Sequence, residues 1–567
     1  MKKYILILVS LFSLAGCSLK EELMSSSRSE DFYTNTAQCQ TGINACYNLI
    51  RSQLSGQNFW FVTDCQTDCM IMNSSTFYNA TLNFSPSRPA IASTIWKYSY
   101  MGVMRANAMI AAIENCLQKG GCTEAEAREM TCETIVLRAF FYYLLTCTFG
   151  DVPFYTDVVT EENRDRIASL PRMSANDTRN YLINELLEIA LPVDMGGRGL
   201  MPLKRSYDQP VNNRMNGAIA LMIAAKMALW NERWDDAVRA VSALETGCGY
   251  GEFAANPEAF GKTYPLTDIP FSRKYTPESI LEISNTFEPY GVQQTGYIAV
   301  VSTPSKGRST VEGEEEEDYE ITDIYGGMAI PELGTTARIS TSARPTTWYF
   351  ETVLSYDSPD LRGGEYSADA TTARGGSGNL AWRWSGFDRD DTERLPENRS
   401  VRWFKSGSSA TASTFNKLSR PWLGNKFWCP GMYYTLDSNN PKFFRFADAL
   451  LMKSEAYLRL GNVDQAAAYL NITRVRAGLD KISMASVGGN EEAFMEEIRL
   501  ERARELFGEF QRKFDLVRWG IWYERTLQYN DGMYLPDFIR PFHRYLPIPA
   551  EQITYSHGAL DNNEYME

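Results

Sequence analysis

Between residues 445 and 479 the apolar positions fall into two stripes. Ala447, Leu450, Leu451, Ser454 and Leu458 recur at steps of three and four, the period of a helix with one buried face. Gly461 interrupts them, and Ala466, Ala467, Leu470 and Val475 begin a second stripe. This pattern predicts two helices folded into a hairpin. A charged helix is predicted next, over 501–520, with Leu506, Phe510, Phe514 and Val517 as its apolar face. Further upstream, helices are predicted over 31–50, with Ile43, Tyr47 and Leu49 among its core residues, and over 95–117. Thr123 and Glu126 form a capping box for a long apolar helix that Gly150-Asp151-Val152-Pro153 stops. Ser174 and Asp177 predict a second capping box. Another hairpin is expected over 216–245, where Ala225, Ala228, Ala237, Val241 and Leu244 share the same period.

The stripes fade in two places. Residues 51–94 read as irregular and are rich in Asn, Ser, Thr and aromatic residues. Residues 250–440 are dominated by Gly, Ser, Thr and Asp, with short β-type runs at 279–284 and 401–405. The acidic run at 312–320 reads as a solvated loop, because it lacks the glycine-centred spacing of a calcium loop. Tyr457, Gly461 and Ala466 stand at the spacing of a tetratricopeptide hairpin. Hairpins scattered through a chain in this way predict a mainly α fold, a helical scaffold wrapped by long irregular loops with a few short strands, rather than a regular solenoid.

Several segments resemble one family. FRFADALLMKSEAYL, LNITRVRAGL, ERARELFGEFQRKFDLVRWG and the closing YLPIPAEQI, in that order, are similar to the C-terminal signature of the SusD/RagB proteins. Trp96, Tyr100, Ala106 and Asn107, the run from Arg138 to Pro153, and a helix at 345–362 ending in an Asp360/Arg362 turn resemble other parts of the family. The resemblance implies a SusD-like fold and a task without chemistry. Such proteins are lipid-anchored lids over a SusC-like TonB-dependent outer-membrane barrel, and they capture oligosaccharides, or peptides in RagB-like members. It divides the chain into a 31–290 helical part, a 291–440 loop-rich insert as candidate ligand surface, and a 441–567 signature region, with 31–567 as one compact unit.

The N-terminus agrees with export. Lys2 and Lys3 precede an apolar core, so 1–16 reads as a signal peptide. Leu14-Ala15-Gly16-Cys17 resembles a bacterial lipobox, which predicts lipidation at Cys17, a tether over 17–30 and a place on the outer membrane facing outward. No later stretch is expected to span a bilayer. The formal net charge of −14 argues against nucleic acid as a partner. Cys65/Cys69 and Cys116/Cys122 are the closest cysteine pairs in sequence and the first to test for disulfides.

No nucleophile elbow, phosphate loop or zinc helix motif is present, and with two histidines in 567 residues neither a metal site nor a cofactor is expected. Glu501, Glu505 and Glu509 invite a glycosidase reading, but Arg502, Arg504 and Arg512 among them should keep them ionised, whereas a general acid needs a raised pKa. Asp151 is expected to belong to a helix-terminating turn. Binding is better supported, because aromatic content of 13% is high and several rings lie in irregular stretches. A sugar offers apolar C–H faces and hydroxyls, so the candidate ligand residues are Trp60, Phe77, Tyr78, Trp382 and Trp384 as platforms, with Asn73, Asn79 and Arg383 as hydrogen-bonding partners. Trp348 and Tyr349 are expected to pack. A surface scaffold or adhesin, and less favourably a carboxylate-dependent glycosidase, are the alternatives.

Overall fold

Helices form where the 3.6-residue stripes lie in the computed structural model. It describes residues 32–54, 57–72, 90–205, 208, 213–285, 306–310, 317–320, 343–355, 358–363, 378–381, 400–402, 422–427, 438–532 and 535–563. The expected signal segment, Cys17 and its tether lie outside these residues.

The first helix, α1 (Thr36–Leu54), runs four residues past its expected end. It is followed by α2 (Gln57–Thr63) and the strand β1 (Met70–Met72), so much of 51–94 is regular after all. The reason is that Phe59, Trp60, Phe61 and Val62 are all buried, and a helix apolar on every side shows no stripe. Then come α3 (Ala90–Gln118) and α4 (Glu124–Phe149), whose Thr123/Glu126 capping box forms as expected. These two helices pack along each other, with α1 against α3. Gly102 permits the approach, since a Cβ there would stand 2.2 Å from the Phe141 ring. By length and composition α4 could cross a membrane, which corrects the expectation that no such stretch exists. Every residue from 136 to 149 is nevertheless buried inside the protein, so α4 is a core helix.

After α5 (Ala175–Ala190), capped by the Ser174 hydroxyl, the predicted hairpin appears as α6 (Gly217–Trp230) and α7 (Trp234–Gly247). A short helix α8 (Pro257–Thr263) leads to β2 (Ser279–Glu282). Within the insert, β3 (Lys306–Thr310) pairs antiparallel with both β4 (Glu317–Glu320) and β7 (Ser400–Arg402). Of the acidic run, only 317–320 is described, as β4. Two further antiparallel pairs are β1 with β5 (Ala343–Pro345) and β6 (Leu380–Ala381) with β8 (Trp422–Leu423). The helix expected over 345–362 shrinks to a single π-turn, Tyr349–Val353, and a 3-10 turn, Leu361–Gly363.

The C-terminal region opens with β9 (Lys442–Arg445), paired antiparallel with β2, so the middle and last thirds of the chain share a sheet. It passes directly into the hairpin α9 (Phe446–Arg459) and α10 (Val463–Arg476), where Ser454 Oγ donates to the Ala466 carbonyl at 2.7 Å. Gly461 is needed for its φ of +76°, not for space, since nothing would meet a Cβ there. The single helix predicted over 501–520 is two, α11 (Glu491–Glu505) and α12 (Arg512–Arg518), followed by α13 (Trp522–Tyr529). Between α11 and α12 the chain turns sharply, with Gly508 at φ +71° and Phe510 at φ +64°. Phe510 turns inward there, against Phe59 and Phe443 at ring separations of 5.9 and 5.8 Å.

Candidate functional site

Glu501 and Glu505 on α11 and Glu509 in the turn after it are all buried. Arg362 Nη1 donates to Glu501 and to Glu505, both at 2.8 Å, and its Nη2 pairs with Asp360 at 2.7 Å. Arg445 donates to Glu509 at 2.7 Å, Glu278 at 2.9 Å and Glu505 at 2.5 Å. Arg476 bridges Glu278 at 2.7 Å and Glu505, while Lys426 meets Glu509 at 2.7 Å. With Arg504 at 3.6 Å from Glu501, five cations face the five carboxylates Glu278, Asp360, Glu501, Glu505 and Glu509. Burial pushes the Glu501 and Glu505 carboxyls up, but the surrounding arginines outweigh it and hold both below the usual glutamate range. They are therefore ionised, the opposite of what a general acid requires. The arginines chiefly responsible come from residues 362, 445 and 476, not from the helix neighbours named in the sequence.

This network underlies the attachment of the described segments 378–381 and 422–427. Next to Arg362, the Asn379 amide N–H donates to the Arg362 carbonyl at 3.0 Å, and Asn379 Nδ2 donates to the Arg504 carbonyl at 2.7 Å. The Gly424 N–H donates to the Asn379 carbonyl at 3.0 Å, and the Lys426 N–H to the Gly378 carbonyl at 3.1 Å. Thus β6 and β8, whose register pairs Ala381 with Trp422, are tied through Arg362 and Lys426 to α11 and the turn after it. The β1–β5 pair is fastened in the same manner. Fully buried Asp68 takes Arg512 at 2.5 Å and Arg525 at 2.7 Å, and its carbonyl accepts from Thr346 Oγ1 at 2.5 Å. Asn530 Nδ2 donates to the Thr67 and Met70 carbonyls at 2.6 and 2.9 Å. Strand β5 also packs against β8, so the two ladders are neighbours.

Trp60 must be withdrawn as a ligand platform. Its side chain is fully buried, and Nε1 donates to the Gly508 carbonyl at 3.0 Å. It packs under the α11–α12 turn because it lies on a helix, not in a loop. Asn73, Phe77, Tyr78, Asn79, Trp382, Arg383 and Trp384 fall outside the described residues. Their points of attachment are described: Asn73 follows Met72, which pairs with Ala343, and Trp382 follows Ala381. Tyr349 packs as expected, stacked on Phe507 at 4.2 Å. Trp348 stacks on Tyr529 at 4.5 Å with Arg525 over its ring, but stays half-buried. Sequence reasoning missed Asp68 and Arg525, which no local pattern marks out.

Asp151 follows the Gly150 turn, and its Oδ1 accepts from the Ala175 N–H at 2.8 Å, so it caps the start of α5. Burial lowers His543 to about 3, and its Nδ1 accepts from the Arg540 N–H at 3.0 Å. Cys65, Cys69, Cys116 and Cys122 are free thiols. Among the described residues no group of His, Cys, Asp and Glu is arranged to hold a metal ion.

The profile of the SusD family matches residues 377–565, and a second one, described as starch-binding associating with outer membrane, matches 19–180. The chain belongs to the SusD family. SusD-like protein P25 of Formosa agariphila is 34% identical over 127 residues, 22% of this chain and only 24% of that protein. SusD-like protein P2 of the same organism aligns end to end, 21% identical over 99% of both chains. Among solved structures, the surface glycan-binding protein A of Bacteroides thetaiotaomicron in complex with laminarihexaose shares the fold. Its TM-score is 0.65 at 17% identity, covering 94% of this chain and 100% of that one.

Proposed function

We propose that this SusD-family chain is a surface lipoprotein that binds oligosaccharides without altering them and passes them to a SusC-like TonB-dependent barrel. The lipid on Cys17 would hold it to the outer membrane. The observation that carries the reading is the pair of neighbouring ladders, β1–β5 and β6–β8, from which the stretches bearing Asn73, Phe77, Tyr78 and Trp382 to Trp384 lead off. Loops on a rigid base are where recognition is built, since their side chains vary without disturbing the core. Relatives of like fold include a laminarin-binding SusD-like protein and the laminarihexaose complex above, which favours a glycan over a peptide. The ionised state of Glu501 and Glu505 supports capture over hydrolysis.

The test is mobility of the chain beginning after Cys17 in native gels cast with different polysaccharides, with reducing-sugar release followed in parallel. Retardation by a polysaccharide without sugar release, weakened by Trp382→Ala, is the expected result. Sugar release that disappears on mutating a carboxylate would overturn the non-enzymatic reading.

A further inference from the structure

A cleft opens where segment 540–548 folds against the end of α4 and the approach to α5. It is open to solvent, with a volume of about 310 Å³. Arg172, Arg540 and Arg544 line it together with the rings of Phe542 and Tyr545. Arg540 donates to the Ile539 carbonyl at 2.7 Å, and Arg544 lies 5.6 Å from the Tyr545 ring centroid. Among the described residues, neither has a carboxylate within 4.0 Å. Arg172 has Asp561 at 3.7 Å, a half-exposed carboxylate that competes only weakly in water. Asn562 also lines the cleft, but its amide is used twice by the Ile548 backbone, at 2.9 and 2.8 Å, so it acts as wall. Beneath the cleft, the Lys513 amine donates to the His543 carbonyl at 2.9 Å.

Among the described residues most buried arginines are paired with acids, and the net charge of the chain is −14. Arg540 and Arg544 are instead exposed and lie together on one concave surface with Arg172. A cleft lined by one sign of charge concentrates ligands of the other sign. The planar guanidinium fork matches a carboxylate or sulfate, and the half-buried rings beside it offer apolar faces. We propose that this cleft binds an acidic saccharide, with a sugar ring against Phe542 and Tyr545 and its carboxylate or sulfate on Arg540 and Arg544. This second site extends the glycan-binding reading to another ligand class, and it does not depend on the loops.

The test is calorimetric titration of the detergent-solubilised full chain with oligogalacturonate, with a sulfated galactan oligosaccharide and with neutral laminarihexaose. Saturable binding of at least one acidic probe is expected, weakened about tenfold or more in Arg540→Ala/Arg544→Ala, as loss of charge-assisted hydrogen bonds implies. Arg198→Ala, an exposed arginine beside Glu188, and Trp382→Ala should leave that binding unchanged. Response to one acidic probe alone assigns the site to carboxylated or to sulfated sugars. Failure of both to bind, equal weakening by Arg198→Ala, or loss through Trp382→Ala would overturn the proposal. Loop-site capture is read separately, from the Trp382→Ala effect on the polysaccharide that retards the chain in the gels.

Discussion

Lys513 is a buried amine whose hydrogen-bond acceptors are the Gln66 side chain at 3.2 Å and the His543 carbonyl at 2.9 Å, with Trp522 beside it. Burial lowers it to about 7 from an ordinary value of 10.5. Between those pH values the unfolded chain binds the extra proton, so stability rises with pH across that window. Lys513→Met should flatten this rise relative to the native chain when urea midpoints are compared from pH 7 to 10. Each unit of separation is worth about 1.36 kcal/mol, so the contrast is measurable. The two acceptors left without their donor cost the variant equally at every pH, which makes the slope the informative quantity. An unchanged slope would mean the amine is not responsible. Residue-level reading was partly possible beforehand. Neighbouring charge was enough to expect ionised glutamates on α11, yet Arg362, Arg445 and Arg476 come from far along the chain, where no local spacing reveals them. Trp60 misled because an aromatic among polar residues looks the same in a loop and in a short buried helix.

Long helices with a periodic run or a cap were legible, and the short buried helix α2 was not. The hairpins α6–α7 and α9–α10, the capping box of α4 and the stop at Gly150 follow from periodicity and cap chemistry. The break between α11 and α12 was hidden because Leu506, Phe510, Phe514 and Val517 keep a helical step across a turn. Gly508 carried the missed signal. Its φ of +71° disfavours any side chain, and a Cβ there would meet the Phe427 ring at 2.6 Å. Gly508→Ala should therefore destabilise the protein by about 1–3 kcal/mol, from strain and overpacking together, as read by urea unfolding. A neutral result would show that the turn relaxes and that Phe427 has room to move.

At the scale of the whole molecule, buried charge joins parts that hydrophobic pattern alone leaves separate. The α11 glutamates hold Arg362 and Arg445, the turn behind them holds Lys426, and Asp68 is held from α12 and α13. A buried pair adds little net stability over an apolar substitute, but losing one partner costs about 3–5 kcal/mol, so such a network fixes geometry more than it adds strength. The C-terminal signature thereby anchors both ladders from which the candidate ligand stretches lead off. None of this long-range wiring is visible in the sequence, where the signature reads only as an amphipathic hairpin and a charged helix.

The most direct test is amide hydrogen exchange of native and Arg362→Gln proteins under identical conditions. The account predicts faster exchange at Asn379, Gly424 and Lys426, whose N–H groups bridge the β6–β8 root, with α6 and α7 unchanged. Exchange that is unaltered at these amides, or raised equally throughout the molecule, would contradict the claim that the buried charges hold the β6–β8 ladder in place.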